Sequence, residues 1–335
     1  MSEPWTAPRI TGLAQAYWQA CALHAAVQCG LTARLAKGAA SLDELCQDLG
    51  LSRRGLQALL TALLTLGILS KNGEAYGLHP QAAPFLAPGS PQDVSNAILH
   101  MADMVTDWAR LDWCVTTGQP VERERIKGNV ETAERQHFYR AMRDLARQQA
   151  PGLAARLGLK PGQKVLDLGG GPGVYAYTFS VEVPGLKAAV FDLPGARPYF
   201  MEEAAAHPGA GDVEFIEGDY HKDAMEGPYD VIWLSQVLHG EGPAECERLV
   251  QKAADALAPG GKLWIQEFIV DPEGQGHPFA ALFSLNMLVN TKEGCSYSAE
   301  ELSDFMALAG LSKIEQMGTT REKAPARLVR GIKAA

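Results

Sequence analysis

Asp167, Gly169, Gly171 and Gly173 lie in the stretch Lys164-Val-Leu-Asp-Leu-Gly-Gly-Gly-Pro-Gly-Val174, whose spacing suits a site for a nucleotide-like ligand. An apolar run, Val165 to Leu168, leads straight into four glycines among five residues, interrupted by Pro172. Side chains at Gly169, Gly171 and Gly173 would block the close backbone approach such a ligand needs. Nineteen residues past Gly173, the apolar run Ala188-Ala-Val-Phe191 ends on Asp192. There a carboxylate can take both hydroxyls of a ribose in a doubly wound α/β sheet. The spacing departs from the dinucleotide pattern G-x-G-x-x-G, because counting from Gly169 places Val174 at the last glycine. The form present is D-x-G-x-G-x-G, led by Asp167. A strand-to-helix turn without a ligand would use the same glycines, and a turn carboxylate would also explain Asp192.

Three further apolar runs end on polar residues: Glu217-Gly-Asp219-Tyr220, Ser235-Gln236-Val-Leu-His239 and Gln266-Glu267. In an open α/β sheet ligands bind beyond the carboxyl ends of the strands, so these ends should carry the chemistry. Asp219 is placed to accept from an adenine amino group and Tyr220 to pack on the base, although an Asx turn would also use Asp219. Histidine titrates near neutrality and can take a proton from a substrate hydroxyl, which makes His239 a candidate base. A strand-end histidine satisfied by backbone is the other reading. His221 and His277 fall in loops and are expected to be solvated.

The elements that must position these residues are legible in outline. From 164 onward strand and helix alternate, with strands expected near 164–168, 188–192, 213–217, 230–234 and 262–270. Pro243 to Leu257 is amphipathic, Pro259-Gly260-Gly261 reads as a cap and turn, and Ser298-Ala-Glu-Glu301 opens a late helix that ends at Gly310. Upstream, residues 10–35 carry Ala14, Trp18, Ala22 and Ala25 at helical spacing. Ser41-Leu-Asp-Glu44 is a capping box, and Ser52 caps a helix from Leu56 to Leu66 with leucines at 56, 59, 60, 63 and 64. Lys71-Asn-Gly73 signals a hairpin. Helix, helix, hairpin is a winged helix-turn-helix order. Its second helix has Arg53 and Arg54 but is otherwise leucine and alanine, poor in the cations that bind phosphate. Residues 90–150 look mainly helical, strongly so from Glu131 to Gln149. The expected division is 1–90, 91–150 as a helical lid, and 151–335.

Composition bounds the function. The 335 residues carry a formal net charge of −9, with 47% hydrophobic and 21% charged residues. That balance suits a globular protein and argues against nucleic acid as the main partner. The six cysteines are scattered with no C-x-x-C pair, so buried reduced thiols are expected rather than a metal site. The opening Met-Ser-Glu-Pro-Trp lacks a signal-peptide pattern, and no run reaches the ~18 apolar residues of a membrane span. A cytoplasmic protein without membrane contact is the expectation.

The D-x-G-x-G-x-G form resembles the S-adenosylmethionine loop of class I methyltransferases. VLDLGGGPG, FDLP, EGDY, LSQVLHGEG, LAPGGKLWIQEFI and EELSDFMALAG are similar, in order and spacing, to small-molecule O-methyltransferases of the acetylserotonin and caffeic acid type, the bacterial members above all. The resemblance spans roughly 15–330. It implies a Rossmann-like α/β domain after an N-terminal all-helical, winged-helix dimerisation domain. It also implies S-adenosylmethionine as donor, S-adenosylhomocysteine as product, no metal, and a homodimer acting on a small-molecule acceptor. Asp167, Gly169, Gly171, Asp192, Leu193, Asp219, Tyr220, Ser235 and Gln236 would line the cofactor, Gln236 standing where plant members often have lysine. His239 matches the general base and Glu267 the glutamate that orients it. The family's His-Asp-Trp reads His-Gly-Glu here, so the flanking acid is lost or displaced to Glu241. A second plant glutamate falls at about Ser296. The acceptor, a flat aromatic or polyketide-like molecule, should lie between the lid and the sheet. Phe138 and Met142 would face it from one helix, and Phe283, Asn286, Met287 and Asn290 from another. Ordinary core packing would also account for these side chains. The leucine face at 56–66 is expected to bury against a partner chain. A winged-helix regulator with a ligand-sensing domain, N- or C-methylation, and non-methylating chemistry are the rival readings.

Overall fold

A computed structural model describes residues 4–122, 133–271, 273–274, 276–318 and 325–335. The expected helix start at Glu131 lies outside the described residues. The chain divides into two compact units, Met1–Met104 with Gln136–Leu145, and Val105–Arg135 with Ala146–Ala335.

The first unit is built from locally encoded helices. Ser41 caps Leu42–Leu49 in a full capping box, its amide donating to Glu44 at 2.7 Å and its hydroxyl accepting from the Glu44 amide at 3.3 Å. Ser52 caps Arg53–Thr65 by accepting from the Gly55 amide at 3.2 Å. Strands β1 (Ala40–Ser41), β2 (Leu69–Asn72) and β3 (Ala75–Leu78) form a sheet of order β1-β3-β2, with Asn72 paired to Ala75 across the hairpin. The winged-helix order is present.

The leucine face of the helix Arg53–Thr65 has a different role from the one expected. Leu56, Leu60 and Leu63 are buried with Leu31, Leu45, Leu69 and Tyr76 in this unit's own core. Fully burying each leucine contributes about 1.5–3 kcal/mol, so that face is consumed in folding the unit. Ile10, Leu13, Tyr17 and Trp18, on the helices Ala7–Gln15 and Tyr17–Gln28, are instead more than half exposed.

The second unit holds a seven-stranded sheet. Its strands are β4 (Lys164–Leu168), β5 (Lys187–Asp192), β6 (Glu214–Glu217), β7 (Tyr229–Ser235), β8 (Leu257–Phe268), β9 (Leu311–Gly318) and β10 (Ala326–Lys333), in the order β6-β5-β4-β7-β8-β10-β9. The first five are parallel, and β10 runs antiparallel to both neighbours. Alternate side chains leave opposite faces of a strand. Leu166, Leu168, Ile232, Leu234 and Ile265 accordingly pack in one cluster with Leu249 and Val250 of the helix Pro243–Ala256. Val165, Val231, Trp233 and Trp264 pack in another with Ala176 and Phe179 of the helix Val174–Glu182. Both faces are covered, which explains why the strands read as continuous apolar runs.

Two features go beyond the sequence reading. The pair β9–β10 adds an antiparallel edge to the five expected strands; the alternation in Ala326-Arg-Leu is its sequence signal. Pro259-Gly260-Gly261 lies within β8, beside a register irregularity between Tyr229 and Val231.

Candidate active site

β4 delivers Asp167 to the carboxyl edge of the sheet, nearly fully buried on the face covered by the helix Val174–Glu182. Burial pushes its carboxyl up to about 8, against a hydrogen bond from the Ala176 amide, and the nearby Asp192 raises it further. Asp167 Oδ2 is buried with no hydrogen-bond partner among the described residues. Gly170 must be glycine because a Cβ there would sit 2.5 Å from the Asp167 Cγ. Gly169, at φ +69°, would place a Cβ 2.7 Å from Val237. Gly171 is different: at φ +53° its Cβ direction is open, and its amide donates to Asp192 Oδ2 at 2.7 Å. The Leu193 amide donates to Asp192 Oδ1 at 2.7 Å. Asp192, its carboxyl raised by burial, therefore ties the glycine loop to the end of β5. The turn-carboxylate reading and the ligand reading of Asp192 apply to the same atom pair.

Past β6, the Asx turn at Asp219 is present, Oδ1 accepting from the His221 amide at 2.9 Å. Lys222 donates to Oδ2 at 2.7 Å and, as the main cause, holds the carboxyl low. The Tyr220 hydroxyl donates to Glu241 at 2.7 Å. His221 is not simply solvated, since its two ring nitrogens lie 3.3 Å from Glu241 and 3.1 Å from Glu245. His277 caps the helix Pro278–Asn290 by accepting from the Phe279 amide.

Ser235 ends β7 beside the buried Tyr175 phenol, which burial pushes up to about 12. Gln236 then adopts φ +58°, a left-handed conformation that costs a non-glycine residue about 1–3 kcal/mol. Its amide donates to the Gln266 carbonyl at 2.9 Å, and its Oε1 is buried without a partner among the described residues. This bend turns the chain so that His239, in the short 3-10 turn Leu238–Gly240, meets β8. His239 Nδ1 lies 2.8 Å from Glu267 Oε2, and the His239 amide donates to Glu267 Oε1 at 3.3 Å. Glu267 is 1% exposed, so a carboxylate is held out of water against one face of the imidazole's chemistry, its Nδ1 side.

Aromatic rings wall the imidazole. Phe283 meets it edge-on with centroids 4.8 Å apart, and Phe268 and Phe279 extend the cluster. Asn286 and Asn290, on the same helix, are hydrogen-bonded to each other, and Trp108 donates to Asn286 at 2.8 Å. Met287 is buried. Phe138 and Met142 belong to the first unit, where Phe138 packs edge-on against His100 and Tyr139. Phe268, Phe279 and Trp108 are additions to the sequence reading. Phe279 was signalled by its position four residues before Phe283, whereas Trp108 had no local signal. Among the described residues, neither Glu241 nor Ser296, which stands at the second glutamate position, is hydrogen-bonded to the His239 ring. Glu241 serves Tyr220 and His221, while the Ser296 hydroxyl donates to the Ala280 carbonyl at 3.2 Å. Among the described residues no group of three or more His, Cys, Asp or Glu side chains could hold a metal ion, and no helix is long and apolar enough to cross a membrane.

A sheet in this order, its first five strands parallel and β10 antiparallel, with a glycine loop after β4, has the fold of class I methyltransferases. Residues 100–312 match the O-methyltransferase domain family and residues 11–88 the O-methyltransferase dimerisation domain family. The chain belongs to this O-methyltransferase family, whose members take their methyl group from S-adenosylmethionine. It is 31% identical to the 3-hydroxy-5-methyl-1-naphthoate 3-O-methyltransferase of Streptomyces sahachiroi, over 97% of this chain and 95% of the relative. It is 30% identical to the tetracenomycin polyketide synthesis 8-O-methyltransferase of Streptomyces glaucescens, over 97% and 96% of the two chains. Human N-acetylserotonin methyltransferase, solved in complex with S-adenosylmethionine, has the same fold, with a TM-score of 0.85 at 22% identity and full coverage of both chains. The winged-helix unit thus falls in a dimerisation family, and Arg53, at the start of its second helix, is paired with Asp43.

Proposed function

We propose that this enzyme transfers the methyl group of S-adenosylmethionine to a hydroxyl of a small aromatic or polyketide-like acceptor, with His239 as general base. The observation that carries the reading is the 2.8 Å pair of His239 Nδ1 and buried Glu267 at the carboxyl edge of the sheet. With Nδ1 held as a donor to a carboxylate, Nε2 is the basic nitrogen left for an acceptor hydroxyl. Taking that proton raises the nucleophilicity of the oxygen, and Glu267 stabilises the imidazolium that results. Phe268, Phe279 and Phe283, with Phe268 edge-on to the other two rings, offer an apolar wall that suits an aromatic acceptor. The names of the Streptomyces relatives support such an acceptor.

The residues around the loop fit the donor molecule. Asp167 Oδ2 and Gln236 Oε1 are buried polar atoms without partners among the described residues, and such atoms call for a ligand that can hydrogen-bond to them. S-adenosylmethionine carries an ammonium, two ribose hydroxyls and an adenine amino group. Bound there, it supplies an electrophilic methyl on sulfur. Asp192 would hold the ribose hydroxyls beside Gly169, Gly171 and Leu193, with Ser235 and Gln236 lining the loop's far side. Asp219 would take the adenine amino group, giving up exposed Lys222, and Tyr220 would pack on the base. The test is incubation with methyl-labelled S-adenosylmethionine and a panel of hydroxyarenes, read by mass spectrometry. Labelled aryl ethers are the expected product. Binding of NAD with no binding of S-adenosylmethionine would discard the reading.

We place the enzyme in the cytoplasm as a homodimer. Its dimerisation-family unit and the exposed apolar side chains of Ile10, Leu13, Tyr17 and Trp18, on two successive helices, support the assembly. Light scattering is expected to report a dimer, and Leu13→Arg with Trp18→Arg should shift it toward monomer. A wild-type monomer with full activity at micromolar concentration would count against this assembly.

A further inference from the structure

Asn286 follows Phe283 by three residues in the helix Pro278–Asn290, so the two side chains leave one face roughly 5–6 Å apart. Phe283 itself touches the imidazole of His239, which sets Asn286 one helical turn from that contact. The amide of Asn286 is fixed in orientation. Its Oδ1 accepts from Trp108 Nε1 at 2.8 Å and from Asn290 Nδ2 at 3.0 Å. An indole nitrogen can only donate, so the amide atom facing it must be the oxygen. Asn290 is oriented by the same logic, since its Nδ2 also donates to the main-chain carbonyl of Asn286 at 2.8 Å. Both lone pairs of Asn286 Oδ1 are therefore occupied. Its Nδ2 has no hydrogen-bond partner among the described residues, and the side chain is half-buried beside the exposed apolar side chains of Phe279 and Leu282.

A donor that is held in place and lacks a partner selects for an acceptor atom. We propose that Asn286 is a specificity-determining residue, its Nδ2 donating to a carbonyl oxygen that the hydroxyarene carries within a helical turn of its reacting hydroxyl. This rests on the reading of His239 as the base of a hydroxyl methyltransferase. A carbonyl oxygen offers lone pairs and no hydrogen, which matches a nitrogen that can only donate. An otherwise identical substrate without that oxygen would cover the N–H groups and leave them unpaired, and sites built to hydrogen-bond reject such analogues. Trp108 is then a positioning residue, acting through the Asn286 amide.

The experiment compares a hydroxyaryl ketone with its methylene analogue, the hydroxyl unchanged, on wild type, Asn286→Leu and Trp108→Phe. Wild type is expected to favour the ketone by about ten-fold in kcat/KM. In Asn286→Leu the ratio should fall to near one. Trp108→Phe, which keeps an aromatic ring but releases Oδ1, should give an intermediate ratio. Calorimetry with the same pair in the presence of S-adenosylhomocysteine reads the preference without turnover. A ketone preference unchanged in both variants overturns the proposal, as does equal affinity of wild type for the two compounds. If wild type binds the pair with a ratio that depends on Asn286 yet methylates neither compound, the donor role stands and the hydroxyl-transfer reading fails.

Discussion

Replacing His239 with alanine is expected to lower turnover by about 10²–10⁴-fold, the usual size of a general acid–base contribution. The proposed role predicts this effect in kcat, with little change in S-adenosylmethionine affinity, because the imidazole packs on Phe283 and Glu267 rather than on the glycine loop. Glu267→Gln should cause a smaller loss. Both carboxyl oxygens face His239: Oε1 accepts from its amide, and Oε2 lies 2.8 Å from Nδ1, where it can accept from the ring. An amide in their place presents one NH2 to a donor, so the ring loses its orientation and its counter-charge. Single-turnover rates with one acceptor, compared with calorimetry of the cofactor, separate the two effects. Loss of cofactor affinity in step with turnover would point to a collapsed loop instead of a missing base.

Asp192→Ala should weaken S-adenosylmethionine binding by about 1.5–3 kcal/mol, or roughly 10–150-fold, the range for hydrogen bonds to a charged group. The structure places the effect at the upper end. Besides its proposed contact with ribose, the carboxylate accepts from the Gly171 and Leu193 amides, both at 2.7 Å. Its removal leaves the glycine loop untethered as well as the ligand. Asp192→Asn keeps one acceptor oxygen and should fall between wild type and alanine. Calorimetric affinities for the three proteins check the order, and equal affinities would remove Asp192 from the cofactor site.

What was legible in the sequence is what local pattern encodes. The runs ending on Asp167, Asp192 and Ser235 are parallel strands covered on both faces, so they read as unbroken apolar stretches. Capping boxes at Ser41 and Ser298 need only four residues, and both are formed. The His239–Glu267 pair is implied by the family resemblance, and the pairing of β7 with β8 brings the two residues together. Partnerships set by packing were not legible. Trp108 and Asn286 are 178 positions apart, and no spacing rule joins them. Gly170 lies against the Asp167 carboxyl, a contact that no spacing in the sequence announces. The leucines at 56, 60 and 63 form an apolar helical face whether the covering surface is the same chain or another, and here it is the same chain. Glu241 has the charge to serve His239, but the backbone aims it at Tyr220.

The central claim is that His239, held by Glu267, removes the acceptor's proton. The most direct measurement is kcat against pH for wild type and His239→Ala on one phenol that stays protonated at neutral pH. The account predicts that wild type exceeds the variant by at least about 10² near pH 7. It also predicts that the gap narrows as rising pH ionises the phenol without help. Near-equal rates across the whole range would contradict the base role and leave His239 a positioning residue.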